Sequence, residues 1–185
     1  MKTKIAVIGA TGYTALELLK LLARHPDAEV IIVTSRQEEN LRLQDVHPLL
    51  TNSFDLPLTQ LDVATIGSDV DFAFSCLPHA ASARTVRGLM DSGVKVVDFS
   101  ADYRLNDVAV YNKWYGVEHP DSERLGSVPY GLPELYRDEI RKANLVANPG
   151  CYPSSAILPL TPLLNKKLIS SRDIIVNSMS GVSGA

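Results

Sequence analysis

Short apolar runs alternate with amphipathic segments along most of this chain. The runs are rich in β-branched residues and predict strands at Ile5–Ile8, Glu29–Thr34, Asp71–Ser75, Lys95–Phe99 and Leu145–Ala147. The segments between them show helical spacing and predict helices at Thr14–Arg24, Ala80–Ser92 and Glu134–Ala143. Continuous apolar strands alternating with helices are typical of an α/β fold with a doubly wound parallel sheet.

Two stretches lack a clear hydrophobic period. Gln37–Gln60 is polar and contains Pro48 and Pro57, so we expect it to be irregular. Asn106–Pro133 is rich in tyrosine, glycine and proline and is interpreted as a loop-like excursion.

The composition changes after Asn148. An apolar helical run at Ala156–Leu164 and a strand at Asp173–Ser178 indicate the beginning of a second domain. We therefore predict a first domain over residues 1–148 and the start of an α+β catalytic domain over residues 149–185. One helix and one strand cannot bury their own apolar faces, so we expect the sequence to be a segment of a longer protein.

Composition narrows the class of partner. The 185 residues are 45% hydrophobic and 21% charged, as in ordinary soluble globular proteins. A net charge of −3 gives no electrostatic basis for nucleic-acid binding. No apolar run is long enough to span a membrane, and the N-terminus does not resemble a signal peptide. We expect a small-molecule ligand.

The chain has two cysteines, Cys76 and Cys151. Two thiols cannot form a structural zinc site alone, and their spacing is not that of a disulfide framework. We expect no metal site and a reducing, cytoplasmic location.

A glycine turn, Gly9-Ala10-Thr11-Gly12-Tyr13-Thr14-Ala15, follows the first strand and opens the first helix. This is the context of a Rossmann-type dinucleotide site, in which one glycine allows the tight turn and the next lets backbone approach the pyrophosphate. The alternative is an ordinary glycine turn in an α/β sheet. The predicted cofactor contacts here are Gly9, Thr11, Gly12, Tyr13 and Thr14.

The second strand ends in Ser35 and Arg36, where NAD enzymes usually carry an acidic residue. A hydroxyl and a guanidinium suit a 2′-phosphate, so NADP is favoured. The alternative is a solvated loop arginine, and Glu38 and Glu39 nearby weaken the preference.

Further candidates follow the third and fourth strands, at the sheet edge where ligands of open α/β sheets bind. Cys76 is better explained as a small buried hydrophobe than as a nucleophile. We expect His79 to contact either the cofactor or a substrate phosphate; the alternative is that it only supports the fold. We expect Arg104 to pair with a substrate carboxylate; the alternative is a surface ion pair with Asp102. The predicted cofactor contacts at this edge are Cys76, Pro78, His79 and Ser100. His25, His47 and His119 precede prolines and carry no mark of a general base.

Asn148-Pro149-Gly150-Cys151-Tyr152-Pro153 places a cysteine between a short strand and a helical run. A thiol at a helix N-terminus meets partial positive charge that favours the thiolate. Pro153 fits the first helical turn. An activated thiol beside a nicotinamide cofactor points to an acyl-enzyme that accepts or donates hydride. The alternative is an inert thiol in a non-catalytic NADP-binding module.

Together these motifs resemble the N-acetyl-gamma-glutamyl-phosphate reductases and, more distantly, the aspartate-semialdehyde dehydrogenases. The resemblance covers the chain and rests on Gly9–Thr14, His25-Pro26, Cys76–His79, Asp98–Arg104, Tyr130–Glu134, Asn148–Ser155 and Ser180–Ala185. Ala15 stands where this family usually has glycine.

The resemblance implies an oxidoreductase of arginine biosynthesis, in which NADPH reduces an acyl phosphate to a semialdehyde through a Cys151 thioester. It also implies a homo-oligomer and a catalytic histidine beyond residue 185, so the isolated segment is expected to be inactive. Ser180 and Gly181 would border the cofactor, and Arg104, Asn148 and Ser183 the substrate. A related semialdehyde dehydrogenase with another acyl phosphate remains the alternative.

Overall fold

The computed structural model describes residues 1–36 and 41–181. Within these ranges it contains one parallel sheet of six strands in the order β3-β2-β1-β4-β5-β6. The strand order reverses between β1 and β4, which creates the switch point at which open α/β sheets bind ligands. The strands are β1 (Thr3–Ile8), β2 (Ala28–Thr34), β3 (Leu58–Thr59), β4 (Phe72–Ser75), β5 (Lys95–Asp98) and β6 (Leu145–Ala147).

Seven α-helices connect or follow these strands in the part of the chain that is described. They are α1 (Tyr13–Leu22), α2 (Leu43–Val46), α3 (Val63–Asp69), α4 (Ser82–Asp91), α5 (Val108–Tyr115), α6 (Pro133–Lys142) and α7 (Cys151–Asn165). Among the described helices, none is long and apolar enough to cross a membrane.

Strand β1 shows why helices cover both faces of the sheet. Successive side chains of a strand point to opposite faces. Ile5 and Val7 belong to one core cluster with apolar residues of α1, whereas Ala6 and Ile8 belong to another with residues of α3 and α4. All four are buried. The predicted doubly wound, parallel α/β fold is confirmed.

The two segments expected to be irregular contain short elements. Gln37–Gln60 includes α2, a 3-10 turn and β3, and Asn106–Pro133 includes α5 and a second 3-10 turn. Asp107 is the N-cap of helix α5, and its carboxylate accepts the N–H groups of Ala109 and Val110. The C-cap is Gly116, with φ +70°. The expectations of an irregular and of a loop-like segment were therefore wrong where these elements form, because local caps stabilise short helices that the composition concealed. Residues 37–40 lie outside the described part of the chain.

The strand predicted at Asp173–Ser178 is also wrong. Residues 171–181 form no strand, and Asp173 has φ +59°. A β-branched run becomes a strand only where another strand supplies hydrogen-bond partners, and none of the described residues does so here. The helix predicted at Ala156–Leu164 begins earlier, at Cys151.

The outer edge of β6 is covered by a short proline-containing segment. Gly131 donates its N–H to the Ala147 carbonyl at 2.8 Å, and Ala147 donates its N–H to the Pro129 carbonyl at 3.1 Å. At the opposite edge, β3 has only two residues.

Candidate active site

The turn after β1 requires glycine at one position and leaves space at another. Gly9 has φ +77°, and a Cβ there would lie 2.9 Å from the Cys76 carbonyl oxygen. Gly12 is the N-cap of α1, and a Cβ on it would meet nothing closer than the Gly9 oxygen at 3.9 Å. The turn therefore packs tightly against β4 on one side and stays open on the other.

The open side fits a dinucleotide phosphate. No side chain caps the first turn of α1, so its N–H groups point to the space beside Gly12. Unpaired helix N–H groups and the helix dipole bind phosphate. Thr11, Tyr13 and Thr14 are all exposed around this opening. Their cofactor contacts stay predictions.

His47 supports the turn from inside the protein. It is buried, and its Nε2 lies 2.8 Å from the Ala10 carbonyl oxygen. The N–H of Gly9 donates to Thr34 Oγ1 at 3.3 Å. Sequence reasoning placed His47 in a loop and missed this contact, because 37 positions separate the two residues and no local pattern links them.

Ser35 and Arg36 differ in what they can reach. Ser35 is buried, and its N–H donates to the Thr59 carbonyl at 2.9 Å. Arg36 is exposed and forms no ion pair with any residue of the described ranges. Glu38 and Glu39 lie outside those ranges. Arg36 is therefore accessible to an anionic ligand.

Asp98 forms the floor of the site at the end of β5. It is fully buried and accepts hydrogen bonds from Ser82 Oγ and Ser100 Oγ, both at 2.6 Å. Burial raises the pKa of the Asp98 carboxyl, the two serine hydroxyls oppose the shift, and the Asp102 charge adds to it. The Ser100 hydroxyl also accepts the Asp102 N–H at 3.0 Å. Ser100 is thus buried with its side chain engaged, and its predicted cofactor contact stays a prediction.

Asp102 fixes the start of α4. Its carboxylate accepts the N–H groups of Ala80 at 2.7 Å and Ala83 at 2.9 Å, and the Tyr111 hydroxyl at 3.0 Å. Ala80 is held at φ +62°, a conformation that disfavours a residue with a Cβ. This buried carboxylate therefore determines the path of the loop that carries Pro78 and His79.

His79 is exposed beside this loop, whereas Cys76 is not. The Nδ1 of His79 accepts the Ala101 N–H at 2.9 Å, so the neutral ring carries its proton on Nε2. The ring is therefore oriented to donate a hydrogen bond to a ligand. Cys76 is partly buried, and burial together with the Asp98 charge raises the pKa of its thiol to about 12. A thiol in that state is a poor nucleophile.

Arg104 joins the ends of β5 and β6. Its Nε donates to the Asn148 carbonyl at 2.8 Å, and its Nη2 donates to the Phe99 carbonyl at 2.7 Å. A Cβ on Gly150 would lie 3.1 Å from Nη1. The alternative surface pair with Asp102 is wrong, because both oxygens of that carboxylate are engaged elsewhere.

Cys151 is the first residue of α7 and is exposed. Gly150 is the N-cap and provides no side-chain hydrogen bond, so the first N–H groups of α7 are uncapped by a side chain. The preceding residues are anchored at the sheet, since Asn148 donates its N–H to the Asp98 carbonyl at 2.8 Å. The thiol therefore lies at the carboxyl edge, in the field of a helix N-terminus.

Three further candidates follow α7 in the sequence. Ser180 and Gly181 are exposed beyond α7, and Ser183 lies outside the described residues. His119 is buried with Nε2 2.9 Å from the Asp102 carbonyl oxygen, and His25 accepts the Asp27 N–H. Within residues 1–36 and 41–181, no group of three or more histidine, cysteine or acidic residues could hold a metal ion.

Comparison with known proteins identifies relatives over almost the whole chain. The chain is 53% identical to N-acetyl-gamma-glutamyl-phosphate reductase of Rhodopirellula baltica, with 98% of this chain and 53% of that protein covered. The enzymes of the same name from Syntrophobacter fumaroxidans and Methanopyrus kandleri are 48% and 47% identical, with the same coverage. The chain spans about half the length of the curated relatives it matches.

Solved structures show the same fold at low sequence identity. Aspartate semialdehyde dehydrogenase II of Vibrio cholerae, complexed with ASA, superposes with a TM-score of 0.61 at 19% identity, over 89% of this chain and 47% of that one. The Candida albicans aspartate semialdehyde dehydrogenase with NADP gives 0.61 at 17% identity, over 90% and 48%.

Two family matches divide the sequence. Residues 151–185 match the semialdehyde dehydrogenase dimerisation domain, and the predicted division at residue 148 stays a prediction. Residues 4–143 match the semialdehyde dehydrogenase NAD-binding domain. This match covers most of the chain, which therefore belongs to the semialdehyde dehydrogenase family.

Proposed function

We propose that the protein containing this chain reduces N-acetyl-gamma-glutamyl phosphate to N-acetylglutamate semialdehyde with NADPH, as a step of arginine biosynthesis. The names of relatives at 47–53% identity support this substrate. The observation that carries the proposal is the exposed Cys151 thiol at the N-terminus of α7, at the same sheet edge as the glycine turn.

The residues of the first domain fit the cofactor. The first turn of α1 and the open space at Gly12 would hold the pyrophosphate, and Arg36 would bind the 2′-phosphate. His79 Nε2–H would donate to the bound cofactor or to the substrate phosphate. When bound, NADPH supplies the hydride.

Cys151 would divide the reaction into two steps. Its thiolate attacks the acyl carbon, the S–C bond forms, and the C–O bond to phosphate breaks as phosphate leaves with the electron pair. The thioester carbon would then accept hydride, and its carbonyl electrons would move to oxygen to give the alkoxide of a thiohemiacetal. Breakage of the S–C bond releases the aldehyde and regenerates the thiolate. The first N–H groups of α7, which no side chain caps, would interact favourably with negative charge on the sulfur.

Arg104 and Asn148 would position this thiol and the substrate. Two donors of Arg104 hold the backbone at the strand ends, while Nη1 lies beside Gly150. That nitrogen would donate to an anionic group of a substrate bound at Cys151. From the family resemblance, Ser180 and Gly181 would border the cofactor and Ser183 would border the substrate.

Self-association and a cytoplasmic location belong to the same proposal. The match of residues 151–185 to a dimerisation domain supports a homo-oligomer. Both cysteines are free, as expected in a reducing compartment.

The reverse reaction tests the substrate. The full-length protein is incubated with NADP⁺ and phosphate, and with either N-acetylglutamate semialdehyde or aspartate semialdehyde. We expect formation of NADPH with a kcat/KM at least about 100-fold higher for the acetylated substrate. A preference for aspartate semialdehyde would identify the related dehydrogenase instead. Tight NADP⁺ binding without turnover of either substrate would support a non-catalytic module.

A further inference from the structure

A cavity of about 370 Å³ lies at the carboxyl edge of the sheet, and both Arg36 and Arg84 line it. Arg36 follows β2, and Arg84 is in the first turn of α4, which follows β4. Strands β2 and β4 lie on either side of β1. The cavity therefore has lining residues that follow the two strands flanking β1, on both sides of the switch point.

The opposite wall of the cavity comes from the loop after α5. Val117 and Pro120 provide apolar surface there, and Glu118 provides a carboxylate. Apolar surface suits a flat heterocyclic base, and guanidinium groups suit phosphate. The cavity thus combines the two features that an adenosine phosphate requires.

The charges of the cavity indicate that Arg36 is not sufficient. Glu118 offsets the charge of one guanidinium, whereas a 2′-phosphate carries close to two negative charges. The second guanidinium, that of Arg84, gives the lining residues within the described ranges a net positive charge. Neither arginine forms an ion pair within the described ranges, so both charges are available to a ligand.

Arg87, one turn further along α4, provides the contrast. It donates to the Pro120 carbonyl at 3.0 Å and forms an ion pair with Asp91. The guanidinium of Arg87 is therefore already bound by other residues of the protein. Arg84 is exposed and has no comparable contact among the described residues. A ligand would supply the partner that the described residues do not.

We propose that Arg84 is a second specificity-determining residue for the cofactor and binds the 2′-phosphate of NADP together with Arg36. This inference rests on the proposed NADPH-dependent function. The guanidinium groups of Arg36 and Arg84 would then bind one phosphate from opposite sides of the switch point. Guanidinium is the group best suited to this role, since its planar N–H donors match phosphate oxygens.

Calorimetry on the full-length protein tests the proposal with adenosine 2′,5′-bisphosphate and adenosine 5′-monophosphate as probes. Arg84→Leu should weaken binding of the bisphosphate about tenfold or more and leave the monophosphate within about twofold. Arg84→Lys should retain part of the preference. Arg137→Leu removes the same charge from an exposed position on α6 and should change neither affinity.

The outcomes separate the two proposals. Equal losses for both probes in Arg84→Leu would show that the residue shapes the adenosine pocket, and would overturn the inference. A preference lost in Arg36→Leu but intact in Arg84→Leu would also overturn it, while NADP dependence stands. A wild-type protein without preference for the bisphosphate would overturn both proposals. Circular dichroism of each variant confirms that it is folded.

Discussion

Asp98 is a fully buried carboxyl that no arginine or lysine within the described ranges approaches as an ion pair. Three donors stabilise its charge, two from serine hydroxyls and one from the Ser100 N–H at 3.2 Å. Burial outweighs them, so the pKa of this carboxyl is raised. A proton therefore binds more tightly to Asp98 in the folded protein than in the unfolded chain.

This difference gives the stability of the protein a defined pH dependence. The extra stability from the bound proton is fully present below the ordinary aspartate pKa of about 4 and is lost as the pH rises through the raised value. We expect the free energy of unfolding of the wild type, relative to Asp98→Asn, to fall over that range. Urea denaturation of both proteins at a series of pH values measures it. If the difference in unfolding free energy between the two proteins did not change with pH, or rose with pH, the pKa of Asp98 would not be raised by folding.

Local sequence predicts residues whose role depends on their immediate neighbours. Gly9 and Gly12 follow from the strand–turn–helix context, and Cys151 from its place before a helix. The Asp98 and Asp102 networks join β5 to α4 across 16 to 22 positions, so neither is visible as a motif. Such contacts exist only after the sheet has brought these segments together.

Among the elements, short helices were the hardest to predict. The central strands of the sheet are continuous apolar runs, which are easy to predict from the sequence. Helix α3 has only seven residues and contains β-branched residues and Gly67, so its local sequence favours a helix weakly. Helix α5 carried its signals, Asp107 at the start and Gly116 at the end, within a segment dominated by turn-forming residues. Tertiary contacts decide whether such weak helices form.

At the level of elements, loss of the Asp102 carboxylate at the start of α4 should lower the unfolding free energy more than loss of an ordinary helix cap. Asp102→Asn keeps one acceptor oxygen but turns an NH₂ group towards the Ala83 N–H, so a charge-assisted hydrogen bond is lost. We expect a destabilisation of about 1.5–3 kcal/mol in urea denaturation.

Asp107→Asn is the matched control. Both N–H groups that cap α5 donate to the same oxygen, Oδ1, which asparagine retains. Its effect should stay below about 0.5 kcal/mol. Equal effects of the two substitutions would show that Asp102 acts only as a surface-type cap.

The two glycines of the first turn should separate folding from ligand binding. Gly9→Ala meets a left-handed φ and the Cys76 carbonyl, so we expect a loss of at least about 2 kcal/mol in unfolding free energy. Gly12 has φ −81°, and an added Cβ would have free space, so Gly12→Ala should change the unfolding free energy little.

The Gly12→Ala methyl group would instead occupy the space that a pyrophosphate needs. We expect NADPH binding, followed by its fluorescence, to weaken about tenfold or more. Unchanged affinity in this variant would show that the cofactor does not approach the N-terminus of α1.

For the whole molecule, the proposed nucleophile lies at the edge of the doubly wound sheet and outside its hydrophobic core. Helix α7 contains no buried residue, and Cys151 contributes to neither core cluster. Cys151→Ala should therefore leave the NADPH dissociation constant within about twofold while removing all thioester formation, monitored by mass spectrometry of the intact full-length protein.

Cys76→Ala is the control for the general loss of a thiol. Because the pKa of Cys76 is about 12, its removal should leave thioester formation in place. Turnover of the Cys151 variant at the wild-type rate would exclude the covalent mechanism.

The short edges of the sheet have a consequence for behaviour at high concentration. An exposed edge strand can recruit a strand from another molecule and initiate aggregation. Here one edge strand has two residues, and the other already exchanges hydrogen bonds with the segment around Pro129 and Gly131. We therefore expect crowding in the cell to leave this domain free of edge-to-edge polymerisation, with any self-association confined to other surfaces.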